Sequence, residues 1–444
     1  MITTAFRPRL QPLALAMGAL LPLGAAQAQT TTETMLMQRL DKLAAELAQV
    51  KAELAGLQQA RPPVSTAAAT AGPPGAPAQP TAAAQALAAP ASVAAGEPIT
   101  VLSSYGEINL NLPRRRSQDA QADVRRFVLG FQHRFDERNK LVTELEVEHA
   151  VSSAGDPGEV EVEQAYIEHQ LTPTWALRGG LFLVPMGLLN ENHEPTAFLG
   201  VERNFVETAI IPSTWREGGV QVIGNLDNGL TVQAGLTTGF DLNKWDASST
   251  EGIESPLGAV HQELALAKAR SLALFGAVNW RGMPGLLLGG GLFSGSAGQG
   301  QALGSPRVTL WDLHARWTPG RWDLSAMYTR GSISGTALLN APLVGNPSLI
   351  PKGFDGWYTQ AGYKLWQRGG MVLTPFARWE QFNTGRSYAD LGPGLTPTAR
   401  PTERVLTLGA NLQLTPGIVL KVDWQHFDQN RDADRSNLGL GWSF

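Results

Sequence analysis

Residues 437–444 read NLGLGWSF. Large apolar side chains stand at every second position (Leu438, Leu440, Trp442 and Phe444), with Asn437, Gly439, Gly441 and Ser443 between them. Along an extended strand that spacing sends the two sets to opposite faces. Soluble domains usually finish on a polar, frayed tail, and a terminal strand with a bare apolar face is an aggregation hazard in water. Two environments accommodate it: the core of a sandwich, or a closed sheet whose outer face meets lipid. Alternation alone does not name the solvent on either face.

The same period runs back through the chain. In VLTLGANLQL, Leu406, Leu408, Ala410, Leu412 and Leu414 oppose Thr407, Gly409, Asn411 and Gln413. Ile418, Leu420, Val422 and Trp424 oppose Lys421, Asp423 and Gln425, and Trp311, Leu313, Ala315 and Trp317 oppose Asp312, His314 and Arg316. Connections alternate in length. Tight turns at 136–138, 172–173, 226–228, 281–285, 318–320, 368–370 and 415–417 separate longer segments near 113–122, 151–158, 185–214, 241–269, 296–306, 332–354, 384–402 and 429–434. Short turns on one side, long loops on the other and about sixteen strands are the layout of an outer-membrane barrel. A soluble sandwich has no reason to alternate its loop lengths. Trp175, Trp215, Trp311, Trp317, Trp322, Trp357, Trp424 and Trp442, near strand ends, are expected in the interfacial girdles.

The other end of the chain agrees. Arg7 and Arg9, a broken apolar run over 13–26 and the small-x-small triplet at 26–28 read as a secretory signal over residues 1–28. No later stretch is long and apolar enough for a spanning helix. The chain has no cysteine, which fits an exported fold not stapled by disulfides and removes every thiolate ligand or nucleophile. Charged residues make up only 17% while Gly numbers 48, a pairing that suits strands and turns. Two of the 35 basic side chains lie in the signal, leaving 33 against 39 acidic, a formal net of −6 that gives no support to nucleic-acid binding.

Between signal and strands lie two further segments. Over 29–60, Leu36, Leu40, Leu43, Leu47, Val50, Leu54 and Leu57 follow alternating spacings of four and three, an a/d seam that predicts an oligomeric, periplasmic coiled coil. Residues 61–98 are almost entirely Ala, Pro, Gly, Thr, Ser and Gln, a composition that cannot bury a core and reads as an extended tether. The barrel is assigned to 99–444.

Within that region EQAYIEHQL (163–171), LRGGLFLVPMGL (177–188), VERNF (201–205) and WREGGVQV (215–222) carry a resemblance. The stretch 163–219 resembles the phosphate-selective porin family of Gram-negative outer membranes, porins of the O/P type. The resemblance implies a homotrimeric sixteen-stranded channel with no cofactor, some members carrying a periplasmic coiled coil. It also makes Phe444 similar to the last-strand signal read by the barrel-assembly machinery. One departure stands out: where phosphate-selective members place a lysine before the third loop, this chain has Leu183 or Val184.

Motifs for catalysis are missing from the sequence. None of the seven histidines has HExxH spacing, no Walker-type loop occurs, and 331–335 lacks the glycine pattern of a nucleophile elbow. The expectation is a non-enzymatic protein without a metal. Lumen-wall candidates are Arg126 and Arg134 on one strand, Glu144, Glu146 and Glu148 on the next, Glu161 and Glu163 after those, and Arg316, Lys364, Arg378 and Lys421 farther along. Either these charges pair along the walls, or walls of opposite sign set a transverse field. Segment 185–213 follows the fifth strand and is expected to fold inward as the constriction. Glu191, Glu194, Glu202 and Glu207 would disfavour anions there, with Arg203 and Arg216 as the nearest anion-binding pair. The function expected is passive diffusion of small hydrophilic solutes and ions, phosphate or other anions among the candidates. The alternative is a structural tether between outer membrane and cell wall, its coil touching the wall and its barrel non-conducting.

Overall fold

The computed structural model describes residues 42, 45, 49, 98–301 and 304–444. The signal, the tether up to residue 97 and the whole seam (Leu36, Leu40, Leu43, Leu47, Val50, Leu54 and Leu57) lie outside the described residues. Lys42, Ala45 and Gln49 are helical.

Among the described residues seventeen strands follow in order: β1 Ile99–Pro113, β2 Gln121–Arg134, β3 Asn139–Val147, β4 Val160–Gln170, β5 Trp175–Leu183, β6 Arg216–Asn225, β7 Leu230–Thr238, β8 Leu272–Trp280 and β9 Leu286–Ser296. Then come β10 Arg307–Trp317, β11 Trp322–Ser334, β12 Gly353–Tyr363, β13 Trp366–Arg368, β14 Met371–Ser387, β15 Glu403–Thr415, β16 Ile418–Phe427 and β17 Arg435–Ser443. The short β13 continues the stave of β12, since both pair with β14, so the wall has sixteen staves. Every neighbour is antiparallel, and β17 pairs back onto β1 from Tyr105–Ser443 to Pro113–Arg435. Phe444 extends this closing ladder: its N–H donates to Ser104 O at 2.9 Å, and Ser104 N–H donates to Phe444 O at 3.0 Å. Closure leaves no strand edge to aggregate.

Alternation sorts the side chains as the sequence expects. Leu438 and Leu440 are exposed on the outer wall, while Asn437, Gly439 and Gly441 are buried inside. Phe127, Leu129 and Phe131 point out of β2 and Arg126 and Val128 point in. A band of exposed Leu, Val and Phe is a liability in water and a match to hydrocarbon. Among the described residues no helix is long and apolar enough to cross a membrane. Trp175, Trp317, Trp322 and Trp366 stand exposed near one rim.

Trp215 does not join a girdle. It is fully buried, with its ring 5.1 Å from Phe240 and 4.6 Å from Phe293. The alternation of β6 places it inward, and the long loops then roof it over. Phe182, Met186, Ile210, Leu257, Leu310 and Phe354 join this apolar cluster inside the barrel. The fourth long loop (239–271) completes the roof: Trp245 Nε1 donates to Ser348 O, and Thr384 Oγ1 of β14 donates to Ile253 O.

Candidate functional site

The third long loop leaves β5 at Val184 and returns at Trp215, running inside the wall. Its contacts cross to the far side. Thr196 Oγ1 meets Ser443 Oγ at 2.9 Å on β17, Arg316 of β10 reaches Ala197 O, and Val201 N–H donates to Asp423 Oδ2 of β16 at 2.7 Å. Asn111 of β1 donates to Glu202 at 3.0 Å, and Phe205 N–H donates to Glu380 of β14 at 2.7 Å. One loop therefore touches staves around most of the barrel.

Glu207 and Arg203 fix its shape from within. Glu207 Oε1 accepts the N–H groups of Leu188 (2.6 Å) and Leu189 (2.7 Å), and its Oε2 accepts Asn204 Nδ2 and the Tyr358 hydroxyl. Gly187 makes this possible: its φ is +73°, and a Cβ there would lie 2.4 Å from Glu207 Oε1. Arg203 Nη1 donates to Ser213 Oγ and Thr214 Oγ1, and Nη2 donates to His193 O. Burial lowers Arg203 to about 10, with Arg126 adding to the effect. Arg203 is spent on the loop itself, and Glu207 ties the loop to itself and to Tyr358 of β12.

The other loop charges are placed differently. Glu191 accepts Gln233 Nε2 at 3.1 Å, and burial pushes its carboxyl up against the pull of Arg178. For Glu202 burial acts in the same direction, but Arg435 and the Asn111 amide outweigh it and hold the carboxyl below its ordinary range. Glu194 is half-buried and its Oε2 has no hydrogen-bond partner. Arg216 is a correction. Along β6 it alternates onto the face of Val220 and Val222, both exposed on the outer wall, and it is tied to Glu161 and Glu263. Arg203 and Arg216 both reach Thr214, one at its hydroxyl and the other at its carbonyl, and each is already engaged by protein acceptors.

Charges on the wall pair locally. Arg126 meets Glu107 at 2.9 Å and Glu146 at 3.7 Å, Arg316 meets Asp323 at 2.7 Å, and Arg378 meets Glu380 at 2.7 Å. Arg178 and Lys140 share Glu168. Each of these bases sits within reach of an acid, so short local dipoles take the place of a long transverse field. Lys421 is the exception: its Nζ lies 3.6 Å from the Phe198 ring centre and has no hydrogen-bond partner. Arg134 is exposed at the end of β2, Lys364 lies in the break between β12 and β13, and Glu148 falls just beyond β3.

Several residues here carry no sequence signal of their own. Tyr105, Glu107, Tyr358, Glu380 and Asp423 look like ordinary alternating strand positions. His193 had a faint one, since it stands between Glu191 and Glu194 in the loop already singled out.

No family model matches the chain. An uncharacterized protein of Aquifex aeolicus (strain VF5) is 26% identical over 356 residues, 77% of this chain and 79% of that one. Among solved structures, Salmonella typhi OmpF in complex with daunomycin has a TM-score of 0.51 at 11% identity, covering 78% of this chain and 97% of that one. A loop L8 deletion mutant of OmpT, an outer membrane protein of Vibrio cholerae, has a TM-score of 0.50 at 11% identity, covering 78% and 99%. At such identities the likeness is one of fold: the chain shares the sixteen-staved antiparallel barrel of these outer-membrane proteins.

Proposed function

We propose that this chain is a homotrimeric outer-membrane porin, a water-filled channel through which small hydrophilic solutes and ions diffuse passively. One observation carries the reading: a 32-residue loop, 184–215, lies inside a closed, outwardly apolar wall and is stitched to its far side by polar contacts. Loops of that length are uncommon unless functional or disordered, and this one is packed. Solutes pass the space left between loop and wall, selected by size and local charge. Arg126, Arg316 and Arg378 already bear acids, and Glu191, Glu194 and Glu202 stand on the loop, so we infer a preference for cations over phosphate. We infer that the N-terminal coil and tether lie on the periplasmic side.

Planar-bilayer recordings test this. Folded protein is expected to give defined conductance steps and, across a KCl gradient, a reversal potential on the cation side. Phosphate added to the bath should leave the KCl current unblocked. Folded protein that gives no defined steps would instead be the non-conducting tether.

A further inference from the structure

Three side chains from separate elements meet where the third long loop touches the wall. Glu144 comes from β3, Glu163 from β4 and His193 from the loop, and one donor atom of each lies within 4.8 Å of the other two. Each is oriented by an outer partner. Gln164 Nε2 donates to Glu144 Oε2 at 2.5 Å, the Tyr105 hydroxyl donates to Glu163 Oε2 at 2.6 Å, and His193 Nδ1 lies 2.9 Å from the Asn190 carbonyl. Ligating carboxylates and imidazoles are held this way, one atom engaged by the protein and the other left for the ion. With the Tyr105 proton given to Glu163, the contact between Tyr105 Oη and His193 Nε2 is made by an Nε2–H in the metal-free protein, and an entering metal ion takes the place of that proton.

A second observation points to a ligand. Glu163 is 0% exposed, yet its Oε1 has no hydrogen-bond partner and faces His193 Nε2 at 3.6 Å. Glu146 Oε1 and Glu194 Oε2 are also buried without hydrogen bonds. The two guanidiniums close by are already engaged: Arg126 is shared between Glu107 and Glu146, and Arg203 donates to Ser213, Thr214 and the His193 carbonyl. Buried carboxylate oxygens without a hydrogen bond are costly, and one divalent charge placed among them offsets that cost.

We propose that Glu144, Glu163 and His193 bind a divalent transition-metal ion of the Zn²⁺ class, which fastens the third long loop to the β3–β4 wall. The imidazole and the small number of protein donors favour such an ion over Ca²⁺ or Mg²⁺, which take six or more oxygens or keep most of their water. Tetrahedral bonds of about 2.0–2.2 Å put ligand atoms about 3.3–3.6 Å apart, so the Glu163 Oε1–His193 Nε2 pair at 3.6 Å already fits, and donors as far apart as 4.8 Å close by about 1 Å or slightly more. Water completes the shell. Tyr105 Oη, 2.6 Å from His193 Nε2, gives up that contact and keeps Glu163. The site rests on the docked loop and not on the channel reading, so binding is measured apart from conductance.

Untagged full-length protein, folded in detergent and stripped with chelator, is titrated calorimetrically with ZnCl₂. One equivalent per chain is expected with micromolar or tighter affinity, weakened by about 10-fold or more in each of Glu144→Gln and Glu163→Gln. Heat-modifiable migration identifies the folded variants. Ca²⁺ is expected to bind at least about 10-fold more weakly than Zn²⁺. X-ray absorption at the zinc edge of the loaded wild-type protein, which needs no variant, should show oxygen donors and one imidazole. The proposal is overturned by no binding up to about 100 µM Zn²⁺, by unchanged binding in either folded variant, by equal Ca²⁺ affinity, or by a shell without imidazole.

Discussion

Glu207 illustrates at the residue scale how one carboxylate holds a long loop in place. Four donors from three parts of the fold converge on it: the N–H groups of Leu188 and Leu189, the Asn204 amide and the Tyr358 hydroxyl of β12. Glu207→Ala leaves these donors buried without an acceptor, at about 1–3 kcal/mol for each one water cannot reach. The strands keep their ladder, so the expected result is a folded barrel with a loosened loop. Limited proteolysis should then cut within 185–213 in the variant and spare the wild type. Phe444 makes a different case. Its backbone closes the sheet while its side chain is 78% exposed on the outer wall. Phe444→Asp at the membrane boundary costs the fold only about 0–1 kcal/mol. A severe fall in surface barrel, measured on intact cells, is therefore expected to reflect failed recognition by the assembly machinery, and refolding into detergent should remain normal. Wild-type surface levels would remove that role from Phe444.

The third long loop divides its charges by task at the scale of the element. Arg203 and Glu207 turn inward on the loop, whereas Glu191, Glu194 and Glu202 are the loop carboxylates proposed to face the ion path. Glu202 faces Asn111 of β1 and Glu191 faces Gln233 of β7, so the two stand against different parts of the wall. Fixed charges in a narrow, poorly screened space weigh more than the same charges on an open surface. Changing Glu191, Glu194 and Glu202 together to Gln is expected to move the reversal potential towards anions with the loop still docked. An unmoved reversal potential and conductance would mean that these carboxylates do not border the ion path. The fourth long loop lays Phe240 against Trp215 and is held to Ser348 and to β14.

Closure of β17 on β1 makes the barrel complete at the scale of the whole molecule, within residues 99–444. Every stave finds both neighbours there, which is the condition for a sheet to stand in lipid. Deletion of residues 29–98 is therefore expected to leave a heat-modifiable barrel that conducts as the full chain does. Gel migration with and without heating, followed by bilayer recording, checks this. Loss of all folded barrel would show that assembly needs the N-terminal segments.

The period of two and the alternation of short and long connections determined the fold from sequence alone. Both follow from local geometry: a strand shows its neighbours on opposite faces, and a lipid-facing wall must repeat that pattern at every stave. The inward position of Glu144 and Glu146 and the outward position of Leu438 were legible for that reason. What the sequence left open depended on contacts between distant segments. Trp215 reads like any strand-end tryptophan until the long loops bury it, and Arg216 reads as a loop charge until β6 turns it outward. The sharpest case is Glu163. A register shift opposite Glu144 and Leu145 makes it the extra residue of a bulge, so it and Gln164 both serve the lumen. Only then do Glu144, Glu163 and His193 meet. No spacing in the chain announces that cluster. Its three members lie on two strands and a loop, and only the docking of that loop brings them together.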